Sequence, residues 1–306
     1  MENNQKMQTP NTNNAGAKNW YDRNYKLLLL IPTIFFIFCI FYLFNFYQNN
    51  GDVIYKDVSL TGGTTISVFD SNINIDDLEK TLSIDFPDLH SRGISNIQTG
   101  KQLGVIIETK ADVGVIKPAL ESYLGYNLTS EKSSIEFTDA TISSGFYQQL
   151  RLALIISFAL MALVVFMIFR TPIRSLSVII AGLADIIMTV TVVNLLGIQL
   201  STAGIVALLM LIGYSVDVDI LLTSRVVRDK EGTLNERMFG SFKTGITMTL
   251  TAIAAAAVSL AFTFSISPTL AQMFTIILIG LGFDIINCWI TNASILKWYA
   301  ESGRMK

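Results

Sequence analysis

The chain is poor in the residues from which most enzyme centres are built. It has one histidine, two cysteines and six prolines among 306 residues, and only 15% of its side chains are charged. The lone His90 falls in a polar stretch, where a solvated surface histidine is the expected reading. Cys39 and Cys288 both lie inside long apolar runs, toward opposite membrane faces by the topology below, so neither a disulfide nor a metal site is indicated. There is no phosphate-binding glycine loop, nucleophile elbow or zinc-ligand spacing, so neither catalysis nor a cofactor is expected. The net charge is −2 and the longest polar segment is acidic, which argues against nucleic acid as a partner.

Apolar side chains are abundant instead, at 51% of the sequence, which places the chain among membrane proteins. Six runs, 27–46, 152–169, 175–198, 202–223, 244–264 and 270–296, approach the roughly 20 residues that span a bilayer. Lys18, Arg23 and Lys26 precede the first. Arg170 and Arg174 lie in "RTPIR", and Arg225, Arg228, Lys230, Arg237 and Lys243 surround the loop between the fourth and fifth, whereas "GIQLS" and "SISPTL" carry no base. By the positive-inside rule both termini are cytoplasmic and the long polar segment is external. The first run is too long for a signal-peptide core, and no small-residue cleavage site follows "FNFYQNNGD", so a signal anchor is expected. The expected organisation is a disordered cytoplasmic tail (1–24), a first transmembrane helix (25–47), an external domain (48–149), a five-helix transmembrane bundle (150–299) and a short cytoplasmic tail (300–306).

Within the external segment, 58–70 alternates like a strand interrupted by Gly62 and Gly63. Helical spacing follows at 74–83, then strand-like runs at 94–98 and 103–109, a helix at 112–125 with Asp112 as N-cap and Gly125 as stop, and a last strand at 134–140. The order β-α-β-β-α-β is that of a ferredoxin-like α+β domain. Its acids, among them Asp76, Asp77, Asp85 and Asp88, are spaced like solvated charges. "NLT" at 127–129 makes Asn127 a candidate glycosylation site.

Four acids fall at membrane depth: Asp185 in the third run, Asp217 and Asp219 in the fourth, and Asp284 in the sixth. A carboxylate at the centre of a span costs about 2.5 to 3.5 kcal/mol on insertion scales, so such groups face a bundle interior, a partner or water. They serve either as a proton relay or as interhelical polar contacts to Ser, Thr or Asn. Two residues turn a helix by about 200°, so Asp217 and Asp219 lie on opposed faces. Asp219 shares its stripe with Ser215 and Thr223, and Asp217 shares the other with Gly213, Ile220 and Leu221. Arg151, Arg225 and Lys243 stand only at the membrane edges, so protonation is the expected route to neutrality. The small residues of "TAIAAAAVSLAF" and the glycines of "IGLGFD" read as close helix approach or bending.

The whole pattern resembles half of an RND-type transporter. "DVSLTGGTT" (57–65), "RTPIRSLSVIIAGLADIIMT" (170–189), "IGYSVDVDILLTSRVVRD" (212–229) and "KTGITMTLTAIAAAAV" (243–258), in this order and topology, are similar to the SecF protein-export membrane proteins of the SecD/SecF family in their archaeal form. The resemblance implies an accessory subunit of the Sec translocase that pairs with SecD and promotes passage of unfolded preproteins through the SecY translocon complex, with membrane lipid around it and proton flow through intramembrane acids. It puts Asp217 and Asp219 at the family's fourth-span polar pair and Gly62 and Gly63 at its glycine pair. The chain differs from bacterial members in having Val218 between the two acids, Thr251 near a fifth-span arginine position, and Ser59 at an acidic one. Two other readings are an RND-type small-molecule exporter half and a membrane assembly or sensor protein that does no transport.

Overall fold

The computed structural model describes residues 20–95, 99–228, 232–264 and 267–302. Residues 1–19 of the expected N-terminal tail, 96–98 of an expected strand, Lys230 and 303–306 lie outside the described residues. The chain opens with a long apolar helix, α1 (Trp20–Asn50), then one turn, α2 (Val58–Thr61), and the strand β1 (Gly63–Val68). Next come α3 (Ile75–Leu82), β2 (His90–Ser95), β3 (Gln102–Thr109), α4 (Val113–Leu124) and β4 (Ser133–Thr138). The remainder is helical: α5 (Ala140–Phe169), α6 (Pro172–Leu195), α7 (Thr202–Arg228), α8 (Leu234–Thr263) and α9 (Pro268–Ile286), which passes through a π-helical segment (Asn287–Asn292) into α10 (Ala293–Glu301).

Among the described residues six helices are long and apolar enough to cross a membrane, with α9, the π segment and α10 forming the sixth, so the chain is a polytopic membrane protein carrying a small sheet domain between its first two spans. The helices outrun the apolar runs wherever a polar cap is available. Asp139 accepts from the backbone N–H of Thr141 and Ile142, which starts α5 at Ala140 rather than at the first lipid-facing residue. Thr233 and Glu236 form a reciprocal capping box that starts α8 ten residues before its apolar run. Between α5 and α6 there is almost no loop: Arg170 closes α5 with φ 52, Thr171 begins α6 and Pro172 is its first helical residue.

In the sheet domain the strand order is β2-β3-β1-β4, with every pairing antiparallel, as the expected β-α-β-β-α-β order requires. Ile66 sits opposite Ile107 on one side and Ile135 on the other. Ile66, Val68, Val105 and Ile107 meet Leu78, Leu82, Ile116 and Leu120 from the two helices in one apolar core. α4 is capped by Asp112 and stopped by a left-handed Gly125, as read from its sequence. The first expected strand is corrected at its start, because residues 58–61 form the turn α2, capped by Asp57. The glycine pair explains why the strand begins where it does. Gly62 has φ 81 and a Cβ there would lie 2.3 Å from the Cα of Ala140; Gly63 has φ 138 and a Cβ would lie 2.3 Å from the Thr109 carbonyl oxygen. The chain thus squeezes between the start of α5 and the end of β3, a passage only glycine permits.

A strap of residues 52–59 ties the domain to the bundle. The Leu200 N–H donates to the Tyr55 carbonyl (2.6 Å), and the Asp57 N–H donates back to Leu200 (3.1 Å). Asn194 donates to the Val53 carbonyl (2.8 Å), the Thr202 N–H to Ser59 Oγ (3.2 Å), and the Tyr147 hydroxyl to Asp52 (2.9 Å). Below it α6 and α7 form the centre of the bundle, with more than half of each span buried, while α1, α5 and α8 each bury less than a fifth. Gly280 lets α9 approach α7 closely, since a Cβ would meet Leu211 Cδ2 at 2.4 Å, whereas nothing stands within 4 Å of one at Gly282. Of the small residues in α8, Ala256 is buried but Ala254, Ala255 and Ala257 are exposed. The ends of the chain's membrane region meet where Tyr25 donates to Glu301 (2.8 Å).

Candidate functional site

The four intramembrane acids divide into three that are sealed in the bundle and one that faces outward. Asp185 on α6 is 1% exposed and both its oxygens are engaged, one by the Ser215 hydroxyl of α7 and the other by the Asn287 amide (2.7 Å). Asp219 on α7 is fully buried, with Oδ1 accepting from the Asn292 amide (2.8 Å) and the Cys288 thiol beside it. Asp284 on α9 is fully buried, next to Ser215 and at 3.5 Å from the Thr249 hydroxyl of α8. A polar thread therefore runs Asp185, Ser215, Asp284, Thr249 across three helix interfaces. Among the described residues none of these acids makes an ion pair, and no group of three His, Cys, Asp or Glu side chains is placed to hold a metal ion.

Asp217 is exposed and continues an outward stripe of Val206, Met210 and Gly213 on α7. The opposed stripe, Ser215, Asp219 and Thr223, is wholly buried, as the 100° step of a helix dictates. Tyr214, beside Asp217, donates to the Met248 carbonyl of α8 (2.8 Å). At a rise of about 1.5 Å per residue Asp217 stands roughly 22 Å from the start of α7 and about 12 Å from Arg225 at the cytoplasmic edge, too far for so short a side chain to reach either membrane edge.

Asn287 and Asn292 are the partners that spacing rules did not single out. In a regular α-helix residues five apart diverge, but the wider i to i+5 turn of a π segment brings them onto one face. Both amides thereby point at acids of α6 and α7. Two asparagines five apart beside a membrane acid are the available sequence signal.

On the sheet domain Gly62 and Gly63 act through backbone passage, as described. Asn127 is exposed just beyond the end of α4. His90 is exposed at the start of β2, with Nδ1 3.9 Å from Glu79. Glu108 is buried where the sheet meets the strap and accepts from Arg92 (2.5 Å). Burial first, and then the charge of Asp57, push its carboxyl up to about 7 against the pull of Arg92. Cys39 and Cys288 are both free and buried.

Residues 120–302 match the family model described as "Protein export membrane protein SecD/SecF, C-terminal". The chain is 35% identical over 290 residues to the protein-export membrane protein SecF of Methanocaldococcus jannaschii, covering 93% of this chain and 99% of that one. It is 33% identical over 282 residues to the SecF of Pyrococcus furiosus, covering 90% of each. Among solved structures it is similar to SecDF, a translocon-associated membrane protein from Thermus thermophilus, with a TM-score of 0.72 at 16% identity. That match covers 93% of this chain and 39% of the SecDF chain, so the present chain spans well under half of that longer protein. With the six spans, the inserted antiparallel sheet and these matches together, the chain belongs to the SecD/SecF family of protein-export membrane proteins, among its SecF members.

Proposed function

We propose that this protein is the SecF-type accessory subunit of a Sec translocase, which pairs with a SecD partner and promotes passage of unfolded preproteins through the SecY channel. Both termini lie in the cytoplasm and the sheet domain is external, a reading supported by the bases at Arg170, Arg174, Arg225, Arg237 and Lys243, all at the end of the bundle away from the sheet. Asp217 carries the partner assignment. An exposed carboxylate this deep would cost about 2.5 to 3.5 kcal/mol against lipid, so its face is covered by another chain or by the water such a chain encloses. A SecD subunit, in the place of the remaining length of a SecDF-type chain, is the occupant. Protons crossing at this interface supply the driving force, since one charge moved through 100 mV yields about 2.3 kcal/mol.

Photocrosslinking from Met210 in native membranes tests the pairing: a product with a SecD-like chain is expected, and labelling of lipid alone would overturn it. Full export activity of an Asp217→Asn, Asp219→Asn double variant would sink the proton step. Asn127, exposed on the external domain, is the acceptor for an N-linked glycan in a host that makes them; an unchanged mass after deglycosylation removes that assignment.

A further inference from the structure

Asp219 is sealed away from the outward face of α7, and it lies among buried polar atoms that lack partners. Oδ2 of Asp219, Oδ1 of Asn292 and the Thr223 hydroxyl are buried and have no hydrogen-bond partner among the described residues. All three residues are fully buried.

Asn292 reaches Asp219 Oδ1 with its amide nitrogen (2.8 Å). A carboxylate accepts only from the NH2 arm of an amide, so the other arm, held on the same small planar group, is an oxygen beside the acid. Thr223 lies one turn beyond Asp219 on the same face of α7. Its hydroxyl differs from those of several bundle threonines, while Thr249 and Thr291 donate to side-chain oxygens instead. Thr189, Thr191, Thr247, Thr251 and Thr275 each donate to the carbonyl four residues earlier, the usual resting place of a helical threonine hydroxyl. For Thr223 that carbonyl belongs to Asp219, and the bond is not made.

The π segment that delivers Asn292 is the kind of local irregularity that accompanies binding sites inside helices. Interrupted membrane helices supply oxygens to small cations in the same way. The set is one carboxyl group plus neutral oxygens, with Asp284 of α9 and the Cys288 thiol alongside. One negative ligand with neutral oxygens suits a hard monovalent cation, whereas a divalent ion calls for several carboxylates. We propose that Asp219, Thr223 and Asn292 form a binding site for an alkali cation, sodium or potassium, inside the bundle and separate from the outward Asp217. The site stands on this geometry and does not require the transport reading.

The test uses the full chain in lipid nanodiscs, melted in equal concentrations of sodium, potassium or choline chloride. A saturable rise in melting temperature with one of the alkali cations over choline is expected. Thr223→Val removes only the hydroxyl and should weaken that response about tenfold; Asp219→Asn should abolish it, and Asp217→Asn should leave it intact. Direct binding of radioactive sodium to the same samples provides a readout independent of folding. Equal melting in choline and in both alkali salts, a response that survives Asp219→Asn and Thr223→Val, or one lost equally in Asp217→Asn, would overturn the site.

Discussion

The sheet domain hides apolar side chains behind charged ones, while the bundle hides carboxylates behind apolar ones. In the domain Ile66, Ile107, Leu78 and Leu120 are sealed, and Asp76 and Asp77 begin a helix at the surface. In the bundle Asp185, Asp219 and Asp284 are sealed, and Leu27, Phe41, Leu163 and Phe262 face outward. The inversion follows from the solvent. Water rewards burial of hydrocarbon, so the domain is held by its core. Lipid gives no such reward between helices, so the bundle relies on close packing and polar contacts, which specify which helix faces meet rather than how tightly.

If that contrast holds, the largest loss should come from the domain core. Ile66→Ala, at a position with no exposure, should cost about 2 to 5 kcal/mol, read from urea unfolding of the domain by hydrogen exchange. A cost below about 1 kcal/mol would mean that contacts with the bundle, and not its own core, hold the domain together. Gly63→Ala comes next, at about 1 to 3 kcal/mol, because the added Cβ meets the Thr109 carbonyl and the backbone sits at positive φ.

The joint between the regions should respond to pH. The Glu108 carboxyl has its folded value at about 7, above its ordinary 4.5. Its contribution to stability is therefore complete below about pH 4.5 and lost as pH rises through about 7, where the folded state would have to bury a charge. Glu108→Gln should flatten thermal stability across this window, with the variant ahead of the parent above about pH 7; an unchanged profile would place the titration elsewhere. The smallest effects belong to the bundle. Ser215→Ala removes the hydroxyl shared by Asp185 and Asp284 and should cost about 0.6 to 2 kcal/mol. A double-mutant cycle of Ser215 with Asn287 would show whether the two bonds to Asp185 act as a unit.

How much of this was readable in advance differs by region in the same way. Hydropathy located all six spans but cut the second and fifth short by ten residues or more, because it senses the stretch in oil and not the capped polar turns at 140–151 and 234–243. Periodicity found both domain helices and the third and fourth strands, yet began β1 in what is a capped turn and expected a strand at 94–98 where β2 runs His90–Ser95, since strands and turns both alternate over so few residues. The opposed faces of Asp217 and Asp219 followed from the helical step alone. The partners of the acids did not. Asn287 and Asn292 meet α6 and α7 only because the sixth span widens into a π turn, a consequence of packing that no spacing rule encodes.

The direct passage from α5 into α6 has a mechanical corollary. At 30 residues α5 is a rod about 45 Å long. One end joins β4 through Asp139 alone, and the other turns at Arg170 and Thr171 straight into the helix that carries Asp185. With no slack at either junction, a turn of the sheet would carry α5 with it and bear directly on the helix that holds the buried acid.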